Sequence, residues 1–221
     1  MKTEQRTAMR ELGAIGSTFG PLWDTYFESA FYIHGHLCGG MPLGFRAGLA
    51  ALKALGAERE LDMAKLVFVE TGTGHAAGCF ADGVQMATGC TFGKGLMERT
   101  QYGKWALTLV DRATGKAVRV SVRPEVMQAS FASPFVQQRK QGTAPSAIPV
   151  EVSRPLVEKQ LARPNEDLFV ISPVFDYPLP AKGKASFNLV LCSVCSEAVA
   201  ENKARVRDGE AVCIPCSGYG G

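Results

Sequence analysis

Apolar residues recur three and four positions apart near the start of the chain, at Leu12, Ile15, Phe19, Leu22, Trp23, Tyr26 and Phe27. That period places them on one helix face, so a helix is predicted over 4–30, broken in two at Gly20-Pro21. An extended piece over 31–38 follows, then a Gly39-Gly40 turn and an Ala/Leu-rich helix from Pro42 to Leu55 that Gly56 ends. Leu-Val-Phe-Val-Glu at 66–70 reads as a buried strand, and 75–87 as a helix of small, close-packing residues. Two strands, 105–111 and 117–122, flank turn residues at 111–115 and predict an antiparallel hairpin. An amphipathic helix is expected over 124–139 and a polar loop over 141–149. A helix over 152–162 is expected to be interrupted at Pro155, and an edge strand over 168–175 carries Pro173. Helices and strands do not alternate strictly, so the predicted class is α+β: a mixed or antiparallel sheet with packed helices.

The chain has 221 residues, enough for one large core with an appendage. Composition shifts at Pro178-Leu-Pro-Ala-Lys-Gly-Lys, which divides the chain into a core, 1–180, and a cysteine-rich module, 181–221. The net charge of +3 gives little attraction for nucleic acid or an anionic membrane. No run of about 18 apolar residues is present, and the first residues lack a signal-peptide core, so the expected compartment is the cytosol. Thiols stay reduced there, and the seven cysteines are read as ligands or reactive groups instead of disulfides.

Cys192-x-x-Cys195 and Cys213-x-x-Cys216 carry the spacing of a four-thiolate zinc site. Four thiolates leave no open position for water, so a structural Zn²⁺ is expected, with metal binding supplying much of the module's folding energy. Glu197, Glu201, Asp208 and Glu210 offset the intervening Lys203, Arg205 and Arg207.

All three histidines lie between positions 34 and 75. In an extended chain His34, His36 and Cys38 would face the same way, with glycines at 35, 39 and 40 leaving that face uncrowded. Cys38 just precedes a predicted helix, whose positive end favours a thiolate. A second group, His75, Cys79, Asp82, Gln85 and Met86, lies along one predicted helix. Its plain reading is Cys and Met packed inward with Asp and Gln solvated. A third, Gly89-Cys90-Thr91-Phe92-Gly93-Lys94-Gly95, lacks phosphate-loop spacing and reads equally as a turn or an anion site.

Together these stretches resemble the FmdE-like family, named after a gene of formylmethanofuran dehydrogenase operons. The matching pieces are His34-Gly-His36-Leu-Cys38-Gly-Gly with Gly44-Phe-Arg46-Ala, Cys79-x-x-Asp82-x-x-Gln85, the 89–95 loop and the four-cysteine module. The resemblance implies an α+β core, a C-terminal treble-clef zinc finger, a homodimer and a pocket built from His34, His36, Cys38, Cys79, Asp82 and Gln85. Lys94 and Cys90 rank behind these. Ser196 stands where the family has glycine, and Gly83-Val84 where it favours Ala-Ile, which is expected to loosen that helix. No motif is legible over 127–167.

Three functional readings follow. In the first, His34, His36, Cys38 and Cys79 bind a second metal of unspecified identity, for redox, metal-delivery or C1-related chemistry, with Asp82 in the chemistry and Gln85 and Lys94 toward a cofactor, small-molecule ligand or partner enzyme. In the second, the zinc module binds nucleic acid or a protein partner. In the third, Cys38 is a nucleophile with His36 as its base.

Overall fold

In the computed structural model, which describes residues 3–179 and 185–219, the apolar stripe at the start of the chain folds as two helices. They are α1 (Thr3–Ile15) and α2 (Pro21–His34), separated at Gly20 as the glycine–proline pair predicts. Helix α2 does not stop at residue 30. Trp23 stacks on Phe27 with ring centroids 3.5 Å apart, Phe27 meets Phe31 edge-on at 4.9 Å, and this aromatic ladder carries the helix through His34. The aromatic run that reads locally as extended is thus held helical by burial against its neighbours. Gly35 ends the helix with φ 89°, a left-handed conformation that returns its N–H to the Phe31 carbonyl.

Helix α3 (Gly40–Leu55) is the central element. Its Leu43, Ala47, Ala50 and Ala51 belong to the apolar cluster that covers the sheet, and its Met41 and Phe45 to the cluster shared with α1 and α2. The sheet begins with β1 (Lys65–Val69), after which α4 (Gly78–Thr88) packs along α3. Helix α4 starts at residue 78, later than predicted, because the Gly72 N–H donates to His75 Nε2 at 2.7 Å and folds that segment into a turn. A β-carbon on Gly44 would lie 2.0 Å from the Phe80 carbonyl oxygen, and one on Gly83 would lie 2.1 Å from that of Met41. Gly83 is therefore the means by which two backbones touch, not a loosening of the helix.

The remaining strands are β2 (Met97–Arg99), β3 (Ala106–Asp111) and β4 (Lys116–Val122). Helices α5 (Pro124–Phe131), α6 (Pro134–Lys140), α7 (Val150–Leu161) and α8 (Asn165–Leu168) then lead to β5 (Phe169–Ile171) and β6 (Phe175–Asp176). The sheet runs β2-β1-β3-β4-β5, with β6 also on β4. Among the described residues only the β1–β2 pairing is parallel, so the sheet is mixed. The class is α+β. Strand β2 has no counterpart in the sequence reading; three residues of mixed polarity show no period. The predicted 124–139 helix splits where Ser133 caps α6 and Pro134 occupies its first turn. Helix α7, in contrast, runs through Pro155, held by buried Ser153, Val157, Gln160 and Leu161. The 168–175 strand breaks at Pro173, with the Ser172 hydroxyl accepting the Arg119 N–H.

The chain divides into two units, Met1–Leu179 and Pro180–Gly221. The linker read at 178–184 and the last two residues of the cysteine module fall partly outside the described residues. Within the second unit, β7 (Leu189–Leu191) pairs antiparallel with β8 (Ala198–Ala200), β9 (Arg205–Arg207) pairs with β10 (Glu210–Val212), and the one-turn helix α9 (Ile214–Ser217) follows.

Candidate metal centre

The end of α2, the loop after it and the start of α4 meet at one point. His34 is the last residue of α2, and the left-handed turn at Gly35 folds the chain back so that His34 Nε2 and His36 Nε2 stand 3.2 Å apart. The two imidazoles converge because a helix ends there, not because the chain is extended as its alternation suggests. Cys38 Sγ lies 3.3 Å from His34 Nε2, and Cys79 arrives from the first turn of α4. One ligand atom from each of His34, His36, Cys38 and Cys79 lies within 4.8 Å of every other. A tetrahedral N/S shell with Zn–N of ~2.0–2.1 Å and Zn–S of ~2.3 Å has donors about 3.3–3.8 Å apart, so the set could hold a metal ion. The close packing at Gly44 and Gly83 brings α4 near enough, and Cys79 Cβ lies 2.8 Å from where a β-carbon on Gly40 would stand.

Asp82, one turn beyond Cys79, accepts the His34 Nδ1–H at 2.8 Å. A carboxylate only accepts, so this bond keeps a proton on Nδ1, and the Nε2 proton is the one that a metal ion would displace. Burial pulls the His34 pKa down, but Asp82 and the Cys79 thiolate outweigh it and hold it up at about 9. Cys79 is drawn down to about 2, first by the Cys38 thiol donating to it and then by the His34 and His36 rings. The same bond, with burial, pushes Cys38 up; the Gly40 and Met41 N–H groups at the start of α3 pull it the expected way but lose. Cys38 is 2% exposed. In the metal-free cluster the thiolate therefore sits on Cys79, not on Cys38 as its place before α3 suggests.

A family model described as FmdE, molybdenum formylmethanofuran dehydrogenase operon, matches residues 33–170, a span that includes all four converging residues and Asp82. The chain belongs to the FmdE family. It is 31% identical over 192 residues to a protein of Archaeoglobus fulgidus described as a probable S-adenosyl-L-methionine-binding protein, covering 84% of this chain and 50% of that protein. The chain thus spans about half the length of the curated relative it matches. It is also similar to a crystal structure of an FmdE-like protein from Syntrophus aciditrophicus, whose description names tungsten formylmethanofuran dehydrogenase. Identity there is 26% and the TM-score 0.54, over 88% of this chain and 91% of that one.

Three of the four converging residues, His36, Cys38 and Cys79, line a cavity of about 350 Å³. Gln85 and Lys94 do not line it. The Gln85 side-chain oxygen accepts the Phe92 N–H at 2.9 Å, and Lys94 Nζ donates to the Leu61 carbonyl at 3.2 Å, so both hold the 89–95 loop against its surroundings. Cys90 is buried, which pushes its thiol up to about 11. His75 accepts from Gly72 and packs edge-on to Trp105, itself a cavity residue. The sequence reading misses the cavity wall, which comes largely from α5, α6 and α7 in the motif-free stretch. Its one legible trace is the Phe131 and Phe135 pair, four apart and followed by Arg139-Lys140.

Arg46 fixes part of that wall. Its guanidinium donates to the Gln160 and Arg163 carbonyls at 2.6 and 2.7 Å and to Asn165 Oδ1 at 2.6 Å, and it lies over the Phe19 ring. The contacts tie the end of α7 to α3. Burial lowers the Arg46 pKa to about 10 against the pull of Glu166.

In the second unit Cys192, Cys195, Cys213 and Cys216 also converge within 4.8 Å and could hold a metal ion. The Cys213 N–H donates to Cys192 Sγ at 3.3 Å and the Cys216 N–H to Cys213 Sγ at 3.4 Å. The backbone N–H groups of Cys195 and Cys213 draw the Cys192 thiol down to about 6. Ser196 takes φ 63°, the left-handed conformation that a glycine would adopt without cost.

Proposed function

We propose that the protein binds a divalent transition metal through His34, His36, Cys38 and Cys79 and presents it to a small molecule in the adjoining cavity, for redox or C1-related chemistry. The observation that carries this reading is that three of the four ligands are also cavity wall. A purely structural or storage site has no need of an adjoining chamber. Two imidazoles and two thiolates suit Zn²⁺, Fe²⁺ or Ni²⁺. Bound there, the ion would supply Lewis-acid polarisation or redox capacity. His34 and His36 offer nitrogen, Cys38 and Cys79 offer sulfur, and Asp82 orients the His34 ring. The descriptions of the two relatives, one naming formylmethanofuran dehydrogenase and the other S-adenosyl-L-methionine, support C1 chemistry over metal delivery.

X-ray absorption on protein purified without added metal tests the reading. The expected spectrum contains imidazole nitrogen at ~2.0–2.1 Å beside sulfur at ~2.3 Å. A shell of sulfur alone would mean that only the terminal site is filled, and the proposal fails. Asp82→Asn should keep the fold, since Asp82 is half exposed, but weaken core metal affinity by ~10–100-fold, measured by competition with a chelator. An unchanged affinity would show that the His34–Asp82 bond does not tune the ligand.

The terminal module, in the same proposal, is a treble clef holding structural Zn²⁺. Ser196→Gly relieves a left-handed residue at a gain of about 1 kcal/mol, so the module should hold its ion about fivefold more tightly. Equal affinity in the two proteins would contradict this. The homodimer implied by the family resemblance and the cytosolic setting expected from the sequence are kept as parts of the proposal, and sedimentation equilibrium checks the first.

A further inference from the structure

The cavity beside the core cluster has a composition of its own. Its lining residues include the buried Cys38 and the exposed Arg139 and Lys140, with the Arg139 guanidinium also donating to the Thr143 carbonyl. Much of the remaining wall is apolar, with Leu43, Trp105, Phe131, Phe135 and Leu156 in it. Among the described residues no aspartate or glutamate lines it. An ion of charge +2 bound by two thiolates and two neutral imidazoles is neutral overall. The charge that a visitor meets is then set by Arg139 and Lys140, and it is positive.

A further polar group is present. Gln160 is 4% exposed, lies in this wall, and its side-chain oxygen has no hydrogen-bond partner among the described residues. A buried amide oxygen left unpaired is costly, because it has given up water without a replacement partner. The other end of the residue is committed, since its backbone carbonyl is held by Arg46. The side-chain oxygen is thus a fixed acceptor waiting for an N–H or O–H.

We infer that the cavity binds a small carboxylate with an apolar body and one N–H or O–H donor. Its carboxylate would face Arg139 and Lys140, its donor Gln160, and its apolar body the aromatic and leucine wall, with the far end against the metal cluster. The inference rests on the proposed metal site for its position but not for its recognition groups. A volume of about 350 Å³ lies at the small end of the ~300–1,000 Å³ typical of ligand pockets, so the occupant is a compact molecule.

N-phenylacetylglycine carries all three features and serves as the probe, titrated into the purified full-length protein by calorimetry while metal content is measured on the same sample. Saturable one-to-one binding is expected. Arg139→Ala/Lys140→Ala, on exposed positions, should weaken it about tenfold, as the loss of charge-assisted hydrogen bonds does. The uncharged methyl ester should bind wild type and the double variant alike, and the N-methyl analogue, lacking the donor for Gln160, should bind wild type more weakly than the probe. No saturable binding, or a double variant that binds the acid as well as wild type does, overturns the inference whatever the metal content. Charge-dependent binding in a chain without a core ion upholds the inference and removes the metal reading instead.

Discussion

Purified without added metal, the protein is expected to carry two ions per chain, and Cys38→Ser one. The core shell has four protein donors, and replacing a thiolate by a hydroxyl removes its softest ligand. Altering the partner of a ligand already costs ~10–100-fold in affinity, so losing a ligand itself should cost more than that and empty the site at micromolar protein. The terminal ion lies in a separate unit with its own four sulfurs and should be retained. Cys38 is packed in the apolar cluster of the first helices, so its serine variant also places a hydroxyl in a dry setting. Cys79→Ser, at a half-buried position, is the companion that separates ligand loss from core damage, and both should read one ion. Elemental analysis decides. Two ions in both variants would mean that the converging histidines and cysteines are a packing accident. Chelation of the wild type should in addition unfold the cysteine module, because its apolar cluster contains only Cys192, Val212 and Cys213 as buried members among the described residues.

Gly44→Ala is expected to lower Tm by about 10 °C and to release the core ion. The added methyl would stand 2.0 Å from the Phe80 carbonyl oxygen, which is backbone and cannot swing aside. Helices α3 and α4 must therefore separate. Overpacking of this kind costs ~1–3 kcal/mol and more where backbone is involved, and each kilocalorie moves Tm by roughly 2–4 °C in a chain of this size. The ion is lost for a geometric reason: Cys38 immediately precedes α3 and Cys79 lies in the first turn of α4, so separating the helices pulls two sulfurs apart. Gly78→Ala is the control, since a methyl there meets nothing within 4 Å. Calorimetry with parallel metal analysis reads both proteins. A Gly44→Ala protein as stable and as metal-rich as wild type would show that the helix contact does not build the site.

Much of this architecture is legible without coordinates, and the failures have identifiable causes. The hairpin of β3 and β4 follows from two apolar runs around the turn residues Asp111 to Gly115, and the α3 helix from its Ala/Leu period and terminal Gly56. His34 is misplaced by local reading because Phe31, Tyr32 and Ile33 favour extended backbone, whereas burial of Phe31 against Phe27 overrides that preference. Asp82 is legible as a polar residue beside Cys79, but its hydrogen bond to a histidine 48 positions earlier is not. The same holds for the thiolate. Helix-end electrostatics favour Cys38, but the Cys38–Cys79 hydrogen bond, absent from any local view, transfers the charge to Cys79.

Residue types and their spacing in the chain were enough to single out two sets of residues with soft donor atoms, because donor chemistry belongs to the side chain and survives any fold. They also sufficed for the α+β class, because hydrophobic period is a property of successive residues. That His34, His36, Cys38 and Cys79 share one point, and that α5, α6 and α7 wall a chamber against three of them, was settled by packing. Contacts between residues far apart in the chain depend on how closely two helices approach. Here that distance is set by what Gly44 and Gly83 lack.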